Sequence, residues 1–424
     1  MVTDTKYPPS VKAGKPILGE TPEGWARESL KKHLTLEQRK VKVLDEKEYD
    51  LVTVKRSRGG VVRREHLYGR QISVKSQFSL KQGDFLISKR QIVHGACGIV
   101  PAHLDGSIVS NEYSIFTAKD SFDLTYLRYL SETLYFQQTC FHSSIGVHIE
   151  KMIFKLDNWF KWDFNLPPLP EQRKIAQILS TWDRGIATTE KLIETSKQQK
   201  KALMQQLLTG KKRLVNPETG KVFERGWEHG FLGDLCTFKG GSAFKEVYQG
   251  QLSGDYPFIK VSDMNLPQNG KFILQANNWI TDEVAKTIKA KAFNAGSVVF
   301  AKVGAALLLN RRRILVQPTI VDNNMMAATP KNICSTEFLY QLMLMIDFAK
   351  FVQDGAVPSI NQSDLSRFKI SYPHFEEQQK IASVLTAADK EIEILEAKLT
   401  HFKQEKKALM QQLLTGKRRV SLSS

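Results

Sequence analysis

Apolar residues fall on two different rhythms along this chain. From about residue 21 to 165, and again from 227 to 372, short apolar runs alternate with turn residues, which predicts strands and loops. Residues 171–210 and 377–416 instead show helical spacing. In the later stretch Ile381, Ala388, Leu395, Phe402 and Leu409 recur every seven residues. A second series, Leu385, Ile392, Leu399 and Leu413, is interrupted only by Lys406. Such a heptad seam suits another helix. The earlier stretch keeps the phase with Ile175, Trp182 and Leu203 and with Leu179, Ile186, Ile193 and Leu207, although Thr189, Ser196 and Lys200 weaken its middle. Pro167, Pro168 and Pro170 stand before the first helix and Pro373 before the second, while Gly210 and Gly416 end them. Forty residues at about 1.5 Å each make a rod of roughly 60 Å. A rod of that length overhangs any small domain, so the two helices are expected to pair with each other; the alternative is that each lies on its own domain.

The helices are also a repeat. Residues 200–211 and 406–417 both read KKALMQQLLTGK, and EQRKIAQIL from Glu171 matches EQQKIASVL from Glu377 without a gap. The segments before them repeat weakly. Glu23-Gly24-Trp25 and Arg225-Gly226-Trp227 open them, Gly83-Asp84-Phe85 corresponds to Gly296-Ser297-Val298, Asn111 to Asn324, and Asp123-Leu124-Thr125 to Ser335-Thr336-Glu337. Near-identical helix ends suggest that both copies meet the same surface, such as two copies of one partner. Leu203, Met204, Leu207 and Leu208, with Leu409, Met410, Leu413 and Leu414, are the docking candidates. Divergent segments on a shared plan suggest that each binds something different.

Both variable segments carry basic turns. Leu51–Val54 reads as a strand, Gly59-Gly60 as a turn and Val61-Val62 as the return, and this hairpin bears Lys55, Arg56, Arg58, Arg63 and Arg64. Leu307–Leu309 and Ile314–Val316 read as a strand pair around Arg311, Arg312 and Arg313. Lys89 and Arg90 occupy the position of Lys302, and Lys245 and Lys260 are weaker additions, as is Lys239. Guanidinium and ammonium groups near glycine turns reach phosphates or guanine edges. Sequence does not separate the two uses.

Charge strengthens that reading. Lys and Arg number 61 against 44 Asp and Glu, a formal net charge of +17, and such an excess attracts polyanions. At 424 residues the chain suits two or three domains. Cys97, Cys140, Cys236 and Cys334 are dispersed, which argues against a disulfide framework or zinc site. The first ten residues lack a signal-peptide core, and Ser297–Leu309 is too short and too charged to span a bilayer, so a cytoplasmic protein without a membrane partner is expected. No Walker A loop, GxGxxG or adenine-methyltransferase motif is present, and Asn216-Pro217-Glu218-Thr219 is not one. Asp45-Glu46-Lys47 has bare D-x-K spacing without an upstream acidic partner. The chain reads as a binder that is not an enzyme, with no cofactor or metal of its own.

The Gly-Trp openings, Leu169-Pro170-Glu171-Gln172, Glu376-Glu377-Gln378 and the KKALMQQLLTGK ends together resemble the DNA specificity subunits of Type I restriction–modification systems. Tyr372-Pro373-His374-Phe375 departs from that family's usual proline–leucine run. The resemblance implies an α+β fold of two mixed α/β target-recognition domains, each followed by a long helix, the helices forming an antiparallel coiled coil with pseudo-twofold symmetry. Its expected order is an extension (1–20), the first domain (21–165), a spacer helix (166–210), a linker (211–226), the second domain (227–372), a second spacer helix (373–416) and a basic tail (417–424). A pseudo-dyad matches that of duplex DNA, so an asymmetric bipartite target is expected. The family also implies two methyltransferase subunits and two restriction–translocase subunits, which carry the S-adenosylmethionine, ATP and Mg2+ chemistry. Type IIB-like enzymes share this architecture. A coiled-coil scaffold that binds only proteins is the alternative from another class, and it would show no sequence preference on duplex DNA.

Overall fold

The computed structural model describes residues 7–216, 219–223, 226–352 and 357–422; Pro217, Glu218 and Arg225 of the motifs above lie outside them. The chain divides into two compact units, Met1–Thr189 with Lys398–Ser424, and Glu190–Ala397. Each unit therefore contains one variable domain and a part of both long helices.

The first unit is built on a four-stranded antiparallel sheet. Its strands are β1 (Leu34–Glu37), β2 (Phe85–Ser88), β3 (Cys97–Ile99) and β4 (Tyr113–Ala118), in the order β1-β4-β2-β3. Phe85 and Ile87 on β2 and Phe116 on β4 are fully buried, joining Trp25, Tyr126, Trp159 and Phe164 in one aromatic core. A second sheet carries the expected hairpin, Glu48–Val54 against Val61–Tyr68, with a bulge between Leu51 and Val52. Ala26–Ser29 pairs with Asp163–Leu166, which ties the start of the domain to the strand just before the helix.

The second unit repeats this plan on unlike residues. Strands β5 (Cys236–Gly240), β6 (Val298–Ala301), β7 (Arg313–Leu315) and β8 (Met325–Pro330) run in the order β5-β8-β6-β7, and Phe272–Ile273 extends the sheet. The registers agree with those of the first sheet: Thr237 faces Thr329 as Thr35 faces Thr117, and Val298 faces Ala328 as Phe85 faces Phe116. Glu228–Phe231 and Lys369–Tyr372 form the closing pair. One expectation fails here. Leu307–Leu309 is no strand: after Gly304, at φ +76°, Ala305–Leu308 makes a single helical turn, for which Ala and Leu are strong formers.

The long helices run from Leu169 to Leu207 and from Phe375 to Leu413. Within the first unit, Asp183 of the first helix binds Lys406 of the second at 2.7 Å, and the Trp182 ring meets Phe402 edge-on at 5.5 Å. Within the second unit, Lys200 binds Asp389 and Lys197 binds Glu396 at 2.6 Å. In the second unit ascending residues on one helix, Lys197 and Lys200, meet descending residues on the other, Glu396 and Asp389, so the pairing there is antiparallel.

The seam is shorter than the heptads suggest. Ile175 and Leu179 are packed into the first domain's core, and Ile381 and Leu385 into the second's. Leu203 and Leu207 also join the second domain's core, and Leu409 and Leu413 the first's. Trp182, Ile186, Ile193, Ala388, Ile392, Leu395, Leu399 and Phe402 remain as the buried or half-buried stripe between them. Both expectations for the rods thus hold in part. One apolar stripe serves a domain at each end and a helix in the middle, because the domains cover only the outer turns.

Candidate nucleic-acid interface

Each domain is fastened to the ends of both helices by the residues that repeat. In the first unit the Glu171 carboxylate, 2% exposed, accepts two bonds from Arg419 at 2.8 and 2.7 Å and one from Trp25 Nε1 at 3.2 Å. In the second unit Glu377, 1% exposed, accepts two bonds from Arg213 at 2.7 Å. A buried carboxylate needs such a partner. The neighbouring glutamines hold the next element. Gln172 accepts the Asp123 amide at 3.0 Å and Gln378 the Ser335 amide at 3.0 Å, each at the start of a domain helix. Gly210 and Gly416 take φ of +70° and +68° beside Trp227 and Trp25, where a side chain would collide with the tryptophan or with Pro22. The Gly-Trp, Glu-Gln and Thr-Gly-Lys motifs are therefore parts of one joint, made twice.

This joint bears on the docking candidates. Leu207, Leu208, Leu413 and Leu414 are at most 5% exposed and packed on this chain's own domains, while Leu203, Met204, Leu409 and Met410 are half-buried on the same cores. Burial of a leucine stabilises by about 1.5–3 kcal/mol. Identity between the helix ends thus has an internal cause, since both meet the same kind of domain surface.

The basic candidates separate into three groups. Several are neutralised on the surface of the first domain. Arg56 pairs with Glu150 and donates to Gln91 at 2.8 Å, Arg63 binds Asp50 at 2.9 Å, Arg64 lies 3.4 Å from Glu65, and Arg90 binds Glu112 at 2.7 Å. His66 sits between Asp50 and Glu48, which hold its imidazolium above the usual histidine range. Others are turned inward. Arg58, at φ +57°, donates to the Ser131 carbonyl at 2.9 Å, and Lys89 donates to the Asn111 carbonyl at 2.7 Å, with burial pushing its ammonium down. Arg312 is 1% exposed; it donates to the carbonyls of Asn310 and Ile346 and lies 3.8 Å from the Phe348 ring, and burial lowers its pKa to about 10. Arg313 donates to the carbonyls of Met264 at 3.1 Å and Arg312 at 2.8 Å. Arg312 is a structural residue, and the arginine-rich turn presents Arg311 alone.

The third group is open. Lys55, Lys245 and Arg311 are exposed, Lys260 donates to Gln249 at 3.1 Å, and Lys302 is half-buried over Gly240. Lys289 and Lys291 join Lys239 in one cleft of the second domain and were not among the sequence candidates. Only the fold brings them beside Lys239. Among the described residues no group of three or more His, Cys, Asp or Glu is placed to hold a metal ion, and no helix is long and apolar enough to cross a membrane. All four cysteines are buried free thiols.

Known proteins share this fold. The chain matches the family described as the Type I restriction modification DNA specificity domain over residues 31–198 and again over 224–404. The Type I restriction enzyme MjaVIII specificity subunit of Methanocaldococcus jannaschii is 27% identical over 286 residues, 64% of this chain and 65% of that one. The chain thus spans just under two thirds of that relative's length. Among solved structures, the HsdS subunit of Thermoanaerobacter tengcongensis aligns with 94% of this chain and 99% of its own at 17% identity and a TM-score of 0.52. A chain from a study of complex assembly and conformational transition in the type I R-M system aligns with 93% of this chain and 99% of its own, at 17% identity and a TM-score of 0.57. With both domains matched in turn, the chain belongs to the Type I restriction–modification DNA specificity family.

Proposed function

We propose that this chain is the non-catalytic subunit that reads DNA for a Type I restriction–modification complex, each domain contacting one half of an asymmetric bipartite site. The observation that carries this reading is reciprocity. Lys200–Asp389 and Lys406–Asp183 are one contact made twice with the roles of the repeats exchanged, as are Arg213–Glu377 and Arg419–Glu171. Such an exchange of roles is what a twofold relation between the repeats would produce, and a twofold would match that of duplex DNA. Domains of equal sheet register but different surface residues then read different sequences at the two ends. The unread spacer corresponds to the paired middle of the helices.

Two methyltransferase subunits would flip and modify an adenine in each half-site, and two translocase subunits would supply ATP-driven restriction, all in the cytoplasm. The relative studied for complex assembly in the type I R-M system supports partner binding. The half-buried pair Leu203 and Met204 and its copy Leu409 and Met410 remain the candidate docks, one in each unit; charge reversals there that leave the methyltransferase co-purifying would remove them. Methylation-sensitive sequencing of host DNA, with and without this gene, tests the main reading. Loss of one two-part methylated motif is expected on deletion. An unchanged methylome in a host with active partner subunits would refute it.

A further inference from the structure

The two sheets carry opposite charges at one matched position. In both, a threonine on the first strand faces a threonine on its neighbour, Thr35 with Thr117 and Thr237 with Thr329. Two residues on, the first domain has Glu37, which accepts from Thr117 Oγ1 at 2.8 Å and pairs with Arg39 at 3.4 Å. The second domain has Lys239 there. Lys239 lines a cleft of about 470 Å³ together with Lys289 and Lys291, and Thr237, Thr329 and Asn294 line it too. No aspartate or glutamate lines it. Lys239, Lys289 and Lys291 are all exposed, and among the described residues none forms an ion pair. Lys302 stands beside the lining residue Gly240: its Nζ is 3.0 Å from where a side chain there would begin.

Three ammonium groups around one concavity, without a carboxylate, repel one another and concentrate anions. The contrast with the first domain is direct, since Arg56, Arg63, Arg64 and Arg90 each stand beside a carboxylate of their own. Lysine is a mobile point charge suited to phosphate, whereas bidentate readout of guanine favours the guanidinium fork. We infer that this cleft is a phosphate-backbone clamp: Lys239, Lys289 and Lys291 hold DNA phosphates beside the half-site that the second domain reads. It fixes register and supplies affinity without reading bases. This rests on the proposed DNA-reading role and adds that the two domains grip the duplex unequally.

Salt dependence tests it. Each phosphate neutralised contributes about 0.9 to the slope of log affinity against log salt. Binding of the full chain to a random-sequence duplex, measured by fluorescence anisotropy across salt concentrations, is expected to lose about 2.7 of that slope in the K239A/K289A/K291A triple variant. The triple arginine variant should restore it. Lys239→Glu, which installs the first domain's residue at the matched position, should lower the slope by more than Lys239→Ala while the thermal unfolding midpoint stays unchanged. An unchanged slope in the alanine triple would overturn the clamp, as would a loss confined to a duplex carrying the methylated motif. If the wild-type chain binds random and motif duplexes equally, the sequence-reading role fails, while the slope still judges the clamp.

Discussion

Glu171 and Glu377 show why charged residues in this chain must be judged one at a time. Each is almost wholly buried at the start of a helix, where an unpaired carboxylate would be intolerable. Arg419 and Arg213 neutralise them from the far end of the sequence repeat. Removing one member of such a pair leaves the other buried and unmatched, so Arg213→Ala and Arg419→Ala should each destabilise their unit by about 3 kcal/mol in urea unfolding. The arginine turn gives a sharper contrast. Arg312→Ala should lower the thermal midpoint by several degrees, because two inward carbonyls lose their donor, whereas Arg311→Ala should leave it unchanged. Sequence placed Arg311, Arg312 and Arg313 in one cluster, and nothing local distinguishes them. What decides is the Ile346 carbonyl, a partner distant along the chain that only folding brings within reach.

Among the elements, the long helices were the most legible, and their limits are instructive. Periodicity located both and gave the phase of the apolar stripe. It did not say what covers the stripe, because leucine packed on a sheet and leucine packed on a helix leave the same pattern. The lysines that interrupt it carry the missing information. Lys200 and Lys406 read as weak points in the heptads, yet each meets an aspartate of the other helix and so fixes the pairing register. Asp183 is partly buried, which alone would raise its pKa, but Lys406, Tyr129 and Arg128 outweigh this and hold it below the usual aspartate range. The unfolded chain therefore takes up a proton first as the solution is acidified. The pair stabilises fully above about pH 4 and loses its contribution as pH falls below that. Circular dichroism of unfolding at pH 7 and pH 3 should show a loss in the wild type that is smaller in Asp183→Asn.

Across the whole molecule, duplication was visible in the helices and nearly hidden in the domains. Matched residues lie 202 apart at Trp25 and Trp227 and at Thr35 and Thr237, 212 apart at Thr117 and Thr329, and 206 apart at Glu171 and Glu377. Loops of unequal length shift the alignment between strands, so only hydrogen-bond register reveals that the sheets are the same. That sameness of scaffold suits an exchange experiment on the proposed reading. Replacing residues 21–165 by the corresponding part of a relative should change one half of the methylated motif and leave the other half intact; a change in both halves would mean that the domains do not read independently. Glu171 and Arg419 lie outside the exchanged residues, so a new domain that also opens with Gly-Trp meets the same fastening.

The twin aspartate contacts are not equally well supplied. Asp183 also receives Tyr129 at 2.6 Å and Arg128 at 2.9 Å, whereas Asp389 has Gln341 at 2.7 Å, a buried amide whose oxygen finds no partner. Local opening should therefore begin around Asp389. Amide protons of residues 386–396 are expected to exchange with solvent sooner than those of 180–188, giving a molecule built by copying a built-in order of fraying.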